Sequence, residues 1–243
     1  MIKFGVVILP GSNCDHDAID TIKNIFKQDA VPLWHKDTDL QGCDAIIVPG
    51  GFSYGDYLRA GALSKYSPIM NEVAAFSKNG GYVVGICNGF QILCEAGLLP
   101  GTLLLNTQPD SGRHYICKNV LLTAQNNNTA LTSGIPKGKV LKIPIAHGEG
   151  RYYADAATLE TLNKNGQIVF KYCNEEGGIT ADSNPNGSLE NIAGICNETK
   201  NVFGMMPHPE RASDEYLGNI DGKYILNSLI KTIQAKKAEL VNA

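Results

Sequence analysis

Cys87 is the first residue whose neighbours suggest chemistry. It lies in "GICNGF", a G-x-Cys-x-G pattern in which Gly85 and Gly89 flank the thiol between an apolar run and a helical pattern. A sharp strand-to-helix turn requires small residues two positions before and after a nucleophile. The free amides of the following helix would favour the reactive thiolate. So short a pattern also occurs by chance, and a cysteine that only packs in the core is the alternative.

The sequence "PHPE" supplies a second set of reactive side chains, His208 and Glu210. Prolines 207 and 209 restrict the preceding residues to extended conformations. Side chains two apart in an extended chain share a side, so His208 and Glu210 are predicted to point the same way. An imidazole beside a carboxylate is the base that a cysteine nucleophile needs. The alternative is a stiff surface loop with an incidental ion pair.

The glycines of "VPGGFSYGD" could supply a backbone amide to an oxyanion. Together with the amide of Asn88, which follows the nucleophile, such an amide would stabilise the negative charge of a tetrahedral intermediate. A plain tight turn is the alternative, although it would need only one glycine.

The elements that must position these residues follow from the apolar pattern. Short apolar runs at residues 3–9, "AVPLW", "DAIIVPGG" and "GYVVGI" alternate with helical patterns, including one at 67–78. This alternation predicts an α/β fold with a mostly parallel sheet flanked by helices. Residues 11–13, 50–54 and 87–89 then fall at the carboxyl ends of strands, where such sheets carry their sites. Residues 101–205 suggest antiparallel strands, and an amphipathic helix closes a single predicted domain, 1–243.

Composition excludes several classes of protein. The chain of 243 residues has a formal charge of −3 without long charged runs, which argues against a nucleic-acid or anionic-membrane surface. The first apolar run is too short for a signal peptide, and no stretch approaches the roughly 20 apolar residues of a membrane span. The seven cysteines contain no C-x-x-C, so we expect no disulfide framework and no metal site, and a reducing cytoplasm.

Four segments together resemble the class I (triad) glutamine amidotransferases: "VPGGFSYGDYLRAGA", "GICNGFQIL", "IPIAHGEGRYY" and "NPNGSLENIAGICN…NVFGMMPHPERA". Within that class the chain is similar to the short, stand-alone glutaminase subunits of phosphoribosylformylglycinamidine synthases. The resemblance implies a flavodoxin-like three-layer α/β fold with additional antiparallel strands. It also implies site roles: Cys87 as nucleophile, His208 as general base and then acid, Glu210 as its orienting group, Gly51 and Asn88 as oxyanion donors, and Gln91 near the bound glutamine.

The activity that the resemblance implies is hydrolysis of glutamine to glutamate and ammonia through a cysteine thioester. The ammonia would pass to a synthetase subunit that uses ATP and Mg²⁺ to convert formylglycinamide ribonucleotide to formylglycinamidine ribonucleotide in purine biosynthesis. A small third subunit completes the expected complex. Because the chain lacks a G-x-x-x-x-G-K-[ST] motif, ATP chemistry is expected in the partner, and no cofactor in this chain.

Some segments stay open. Residues 106–117, "NTQPDSGRHYIC", depart from the family's Asn-x-Ser and following Phe, with Tyr115 or His114 nearest to that Phe, so contacts to the amino-acid end of glutamine are unassigned. His147, Glu149 and Arg151 could be a third catalytic cluster, a strand end or a docking surface; docking is favoured, together with residues 54–59. The rival functions are an amidotransferase for another acceptor, a cysteine-elbow peptidase or deglycase, and a non-catalytic regulatory subunit.

Overall fold

A mixed β-sheet forms the centre of the molecule, for which a computed structural model describes residues 1–107 and 115–241. The strands of these ranges are β1 (Lys3–Ile8), β2 (Asp29–Trp34), β3 (Ala45–Val48), β4 (Tyr82–Ile86), β5 (Thr102–Leu104), β6 (Ile116–Ala124), β7 (Val140–His147), β8 (Arg151–Tyr153), β9 (Ile168–Tyr172), β10 (Ile192–Cys196) and β11 (Val202–Met205). Nine of them pair in the order β2-β1-β3-β4-β11-β10-β9-β6-β7, and β5 pairs separately with β8.

The first half of the sheet is parallel. Strands β2, β1, β3, β4 and β11 all run the same way, which is the flavodoxin-like strand order with β11 in the fifth position. Every residue of β3 is buried, as expected for a strand covered on both faces. The predicted α/β fold with a parallel sheet is therefore confirmed. The carboxyl ends of β1, β3, β4 and β11 lie side by side, and the segments that follow them meet at one edge.

The second half of the sheet is antiparallel. Strand β10 pairs antiparallel with both β11 and β9, and β6 pairs antiparallel with both β9 and β7. This confirms the predicted antiparallel strands between residues 101 and 205. Strand β11 joins the two halves, because it pairs antiparallel with β10 on one side and parallel with β4 on the other.

The helices agree with the pattern except at two places, one of which is a helix at Ala156–Lys164, within residues 101–205, where the sequence suggested strands. They are α1 (Asp15–Asp20), α2 (Pro68–Lys78), α3 (Asn88–Glu95), α4 (Ala156–Lys164) and α5 (Gly222–Val241). Helix α2 begins where Ser67 is extended and Pro68 occupies the first turn, which suits a residue without an amide hydrogen. The first helical pattern is interrupted, since α1 continues as a π-helical turn at Thr21–Ile25. Among the described helices, none has the length and apolarity needed to cross a membrane.

Candidate active site

Cys87 lies on a strained turn between β4 and α3. Its φ of 53° and ψ of −108° place a non-glycine residue in a sparsely populated region. The turn is anchored because the Cys87 amide donates to the Met205 carbonyl at 2.8 Å. Such strain persists only where the surrounding structure enforces it, and it is concentrated at functional sites. The Cys87 residue is 5% exposed at the carboxyl edge of the parallel strands.

The two glycines around Cys87 are required by close backbone packing. A Cβ on Gly85 would lie 2.6 Å from the carbonyl carbon of Gly89. A Cβ on Gly89 would overlap the carbonyl oxygen of Val48 in β3. The predicted steric reason for the G-x-Cys-x-G pattern is therefore correct, and it involves the neighbouring strand as well as the turn.

His208 and Glu210 form a buried pair. The Nδ1 atom of His208 lies 2.6 Å from Oε1 of Glu210, and the residues are 1% and 3% exposed. The predicted pairing is correct, but the predicted extended chain is wrong at this point. Residues Pro209–Ala212 form a 3₁₀ turn, and this turn brings Glu210 back to His208. Proline favours such a turn because its fixed φ suits the first helical position.

The charge state of His208 follows from its neighbours. Burial alone would lower the pKa of His208, but the charge of Glu210, the electrostatic interaction with Cys87, and then the hydrogen-bonding contacts with the side chains of Cys14 and Cys87 raise it well above its usual value of 6.5. The imidazolium is therefore favoured at neutral pH. Its second ring nitrogen, Nε2, is buried without a well-aligned hydrogen bond among the described residues.

Gly50 marks the point where the reactive groups meet. A Cβ on Gly50 would lie 2.8 Å from Cε1 of His208, 2.9 Å from Sγ of Cys14 and 3.4 Å from Cβ of Cys87. The fold therefore brings residues 87 and 208, distant in sequence, to one small space. On the other side, the Cys87 thiol faces the Ala146 carbonyl oxygen at 3.7 Å.

The Gly51 amide is not used by the bridge that holds its segment. Gly51 forms an isolated antiparallel bridge with Ser12, whose hydrogen bonds are donated by Asn13 to the Gly50 carbonyl at 3.3 Å and by Phe52 to the Gly11 carbonyl at 2.9 Å. A Cβ on Gly51 would lie only 2.7 Å from the Gly11 oxygen. The close approach of the two segments therefore requires glycine at position 51.

Asn88 and Gln91 belong to a buried amide chain beside the turn. Asn88 accepts from the Ser53 amide at 3.2 Å and donates to Gln91 Oε1 at 2.8 Å. Gln91 in turn donates to the Glu149 carbonyl at 2.6 Å. This chain ties the oxyanion segment, the start of α3 and the "AHGEG" segment together. Both polar atoms of the Gln91 side chain therefore have partners within the protein, and its place near the bound glutamine stays a prediction.

The "AHGEGRYY" segment contradicts part of the docking interpretation. His147 is 3% exposed and Tyr152 is 0% exposed, so neither side chain can contact a partner; Tyr153, at 45%, can. Burial and then the positive charge of His208 lower the pKa of His147 to about 4, so it is neutral. Neither ring nitrogen has a hydrogen-bond partner among the described residues. The ring occupies the space that a side chain at Gly150 would need.

The "NPNGS" turn, residues 184–188, is hydrogen-bonded to the "AHGEGRYY" segment. Asn186 donates to the Gly150 carbonyl at 2.8 Å, and Ser188 accepts from the Tyr152 amide at 3.0 Å. Asn106 donates to the His147 carbonyl at 2.8 Å and accepts from the Gly150 amide at 2.9 Å. The motif is therefore more than a local turn, because it fixes the strand end next to Cys87.

Tyr115, a described residue of the segment that the sequence left unassigned, belongs to an aromatic pair. Tyr115 stacks on Phe52, with ring centroids 6.3 Å apart, and the charge of Cys87 contributes, after burial, to a raised pKa of Tyr115. Tyr115 is thus one described residue of that segment that interacts electrostatically with the nucleophile. Residues 108–114, including His114, lie outside the described residues.

Sequence reasoning missed Cys14 and Arg211. Arg211 Nη2 donates to Cys14 Sγ at 3.1 Å, and Cys14 lies beside His208. The position of Cys14 directly after the segment 11–13, at a strand end, was the signal that could have found it. All seven cysteines are free.

Comparisons with known proteins identify the family of the chain. A family model described as a CobB/CobQ-like glutamine amidotransferase domain matches residues 2–227. Two proteins called phosphoribosylformylglycinamidine synthase subunit PurQ are similar over nearly their whole length. The one from Koribacter versatilis is 56% identical over 94% of this chain and 97% of its own. The one from Chlorobaculum parvum is 52% identical over 97% of this chain and 92% of its own.

Solved structures add the fold of the relatives. A chain of the PurLQS structure from Thermotoga maritima is 42% identical, with a TM-score of 0.82, over 96% of this chain and 100% of that chain. A glutamine amidotransferase from the same organism shares the fold alone. It is 15% identical, with a TM-score of 0.53, over 98% of this chain and 94% of that chain.

Proposed function

Because the chain belongs to the glutamine amidotransferase family and, within it, to the PurQ glutaminase subunits of phosphoribosylformylglycinamidine synthase, we propose that Cys87, His208 and Glu210 form its catalytic triad. The protein hydrolyses glutamine and supplies the ammonia for the synthesis of formylglycinamidine ribonucleotide. The observation that carries the assignment of residues is the strained Cys87 turn facing the buried His208–Glu210 pair.

The first half of the reaction makes a thioester. The Cys87 thiolate attacks the side-chain carbonyl carbon of glutamine, a C–S bond forms, and the carbonyl oxygen becomes an oxyanion. The Gly51 and Asn88 amides donate to that oxyanion; loss of one such donor typically costs roughly 10²–10³ in rate. The imidazolium of His208 then protonates the amide nitrogen, the C–N bond breaks, and ammonia leaves.

The second half regenerates the enzyme. Neutral His208 takes a proton from water, which attacks the thioester carbonyl carbon. The C–S bond breaks, glutamate leaves, and the thiolate–imidazolium pair forms again. Glu210 holds Nδ1 through the 2.6 Å contact, so that Nε2 is the atom that exchanges protons. Gln91 contacts the bound glutamine.

The acceptor chemistry belongs to partner subunits. The Thermotoga relative is part of a structure called PurLQS, and we assign this chain to a corresponding complex with a synthetase and a small third subunit. ATP and Mg²⁺ act on the synthetase, and this chain uses no cofactor. The seven free thiols support a cytoplasmic location.

A reconstitution experiment tests the proposal. The purified chain is incubated with glutamine, alone and with the synthetase and third subunit, and glutamate and the aminated ribonucleotide are measured. We expect both products in equal amounts from the complex. Glutamate without aminated ribonucleotide would support an amidotransferase for another acceptor, and absence of glutamate under all conditions would contradict the glutaminase assignment.

A further inference from the structure

Cys14 lies close to the imidazole of His208. It precedes α1, whereas Cys87 precedes α3. Its sulfur lies within 4.8 Å of a ring nitrogen of His208 and of a carboxylate oxygen of Glu210. Cys14 is 3% exposed. Gly50 makes this contact possible, because a side chain there would collide with both Cys14 Sγ and His208 Cε1. The proposed mechanism gives Cys14 no role.

The sulfur of Cys14 is held in place by two hydrogen bonds. The thiol donates to Asn13 Oδ1 at 3.0 Å, and Arg211 Nη2 donates to the sulfur at 3.1 Å. Arg211 is itself fixed by Asp17, whose Oδ2 accepts from Nε at 2.9 Å. The Cys14 amide also donates to the Gly50 carbonyl at 3.1 Å. Cys14 therefore links the oxyanion segment to the base, and a sulfur lone pair remains for the imidazole.

We propose that Cys14 is a positioning residue for His208: its sulfur, oriented by Arg211, keeps the ring turned with Nε2 toward Cys87 and stabilises the imidazolium. This inference rests on the proposed function. Glu210 fixes only Nδ1 of the ring, whereas proton transfer also requires the correct tilt of Nε2. A displacement of about 1 Å in a catalytic group can cost roughly 100-fold in rate.

The surrounding charges support this role. The titratable and charged groups that interact with His208 or its partners are Glu210 and Arg211 of its own turn, Cys87 before α3, Cys14 before α1, Asp17 of α1, His147 at the end of β7, Tyr115 before β6 and Tyr172 of β9. His147 is neutral because its pKa is about 4. The pKa of Tyr115 is raised, so it is neutral too. After burial and the charges of Glu210 and Cys87, the contact with Cys14 further raises the pKa of His208.

A metal ion is the competing occupant of this cluster, since Cys14, His208 and Glu210 offer three ligand atoms. Two contacts oppose it. Nδ1 of His208 and Oε1 of Glu210 are already bonded to each other, and the Arg211 cation lies at the sulfur. These contacts favour a positioning role over a cation site.

The test uses Cys14→Ala and Cys14→Ser in the assembled complex, with Cys43→Ala as the matched control. Cys43 is also buried, but it precedes β3 and lies at the opposite ends of the strands. We expect Cys14→Ala to lower kcat of glutamine hydrolysis by about 10- to 100-fold, with KM for glutamine changed less than about twofold. We expect Cys14→Ser to recover part of this loss, because a hydroxyl also donates and accepts.

The pH profile separates positioning from a general loss of structure. With less stabilisation of the imidazolium, the alkaline limb of kcat/KM should move to lower pH in Cys14→Ala and not in Cys43→Ala. The ammonia-driven reaction of the complex should stay unchanged. Unchanged kcat and pH profile in Cys14→Ala, with an active wild type, would overturn the inference alone; an inactive wild type would instead contradict the proposed function. Glutamine hydrolysis by the isolated wild-type glutaminase chain is also measured in EDTA. Loss of that activity would indicate a metal ion in the cluster and would overturn the positioning role.

Discussion

The thiols of this chain differ in what their surroundings allow. Burial, and then the charge of Glu95, raise the pKa of Cys94, and burial is the main cause that raises the pKa of Cys173 and Cys196 to about 11. These thiols are therefore poorly ionised at neutral pH. Only Cys87 combines a strained strand-to-helix turn with a facing imidazole.

We predict that a glutamine-like diazo-ketone labels Cys87 first, because that reagent is recognised as substrate before its carbon reacts with sulfur. Peptide mapping measures the labelled residue. Glutamine should protect Cys87, whereas iodoacetamide labelling of the exposed Cys117 should not respond to glutamine. Preferential diazo-ketone labelling of Cys94 or Cys117 would contradict the assignment of Cys87 as the nucleophile.

The two members of the buried pair should differ in their effects. We predict that His208→Ala removes measurable glutamine turnover, since general acid–base transfer contributes roughly 10²–10⁴-fold and leaves no substitute here. Glu210→Gln should leave residual turnover, because the amide oxygen can still accept from Nδ1. Steady-state glutamate release measures both. If Glu210→Gln were the more damaging substitution, the division of roles would be wrong.

The charge of Glu210 also predicts a pH effect. The pKa of His208 is raised in the folded protein, so the imidazolium is lost only as the pH rises through that value. Removing the carboxylate charge lowers this pKa, and the alkaline limb of kcat/KM in Glu210→Gln should therefore move to lower pH. An alkaline limb that stays in place, or moves to higher pH, would show that the charge of Glu210 does not stabilise the imidazolium.

At the scale of elements, the crossing of α3 over β3 depends on Gly89. We predict that Gly89→Ala lowers the free energy of unfolding by about 2 kcal/mol, because the added Cβ would overlap the Val48 carbonyl. Urea unfolding measures it. Gly148→Ala is the control, since among the described residues its Cβ would meet Tyr115 alone, at 3.8 Å. Equal stability of the two variants would contradict this steric account.

The sequence predicted these elements where one local rule acts alone. Buried apolar runs and helical periodicity located the parallel strands β1 to β4, α2 and α5, and the glycine spacing located the turn at Cys87. It failed where a local rule competed with another. Proline-restricted residues suggested an extended "PHPE", but Pro209 also starts a 3₁₀ turn, and that turn makes the pair.

Contacts between distant segments were beyond local rules. The polarity of His147 suggested a surface, whereas packing against Gly150 places it in the interior. Cys14 reaches the site only because β1, β3 and β4 end side by side, and Arg211 lies 197 residues away in sequence. The single-domain prediction stays a prediction.

At the scale of the whole molecule, the loop after Phe52 presents the clearest candidate for a partner surface. Tyr57 and Leu58 are 74% and 88% exposed, and Tyr54, Asp56 and Leu58 have positive φ angles of 54°, 53° and 70°. Strained backbone of this kind marks functional segments. The same segment reaches the oxyanion side of the site through Ser53, whose amide donates to Asn88.

We predict that the double substitution of Tyr57 and Leu58 by serine weakens activation by the synthetase and leaves folding intact. Glutamate release is measured while synthetase and third subunit are titrated, and the concentration for half-activation should rise at least tenfold. Tyr216→Ser, which changes another exposed tyrosine, one that is 99% exposed, is the control. Half-activation at the wild-type concentration would remove this loop from the interface.

The most direct test of the central claim compares glutamine with ammonia as the nitrogen source in a complex that carries Cys87→Ala. Glutamine and ammonium chloride are supplied separately, and formation of the aminated ribonucleotide is measured in the assembled complex. The account predicts that the glutamine-driven reaction disappears and the ammonia-driven reaction continues at the wild-type rate, since amination occurs on the partner. A Cys87→Ala complex that still uses glutamine, or that stays assembled and loses the ammonia-driven reaction, would contradict it.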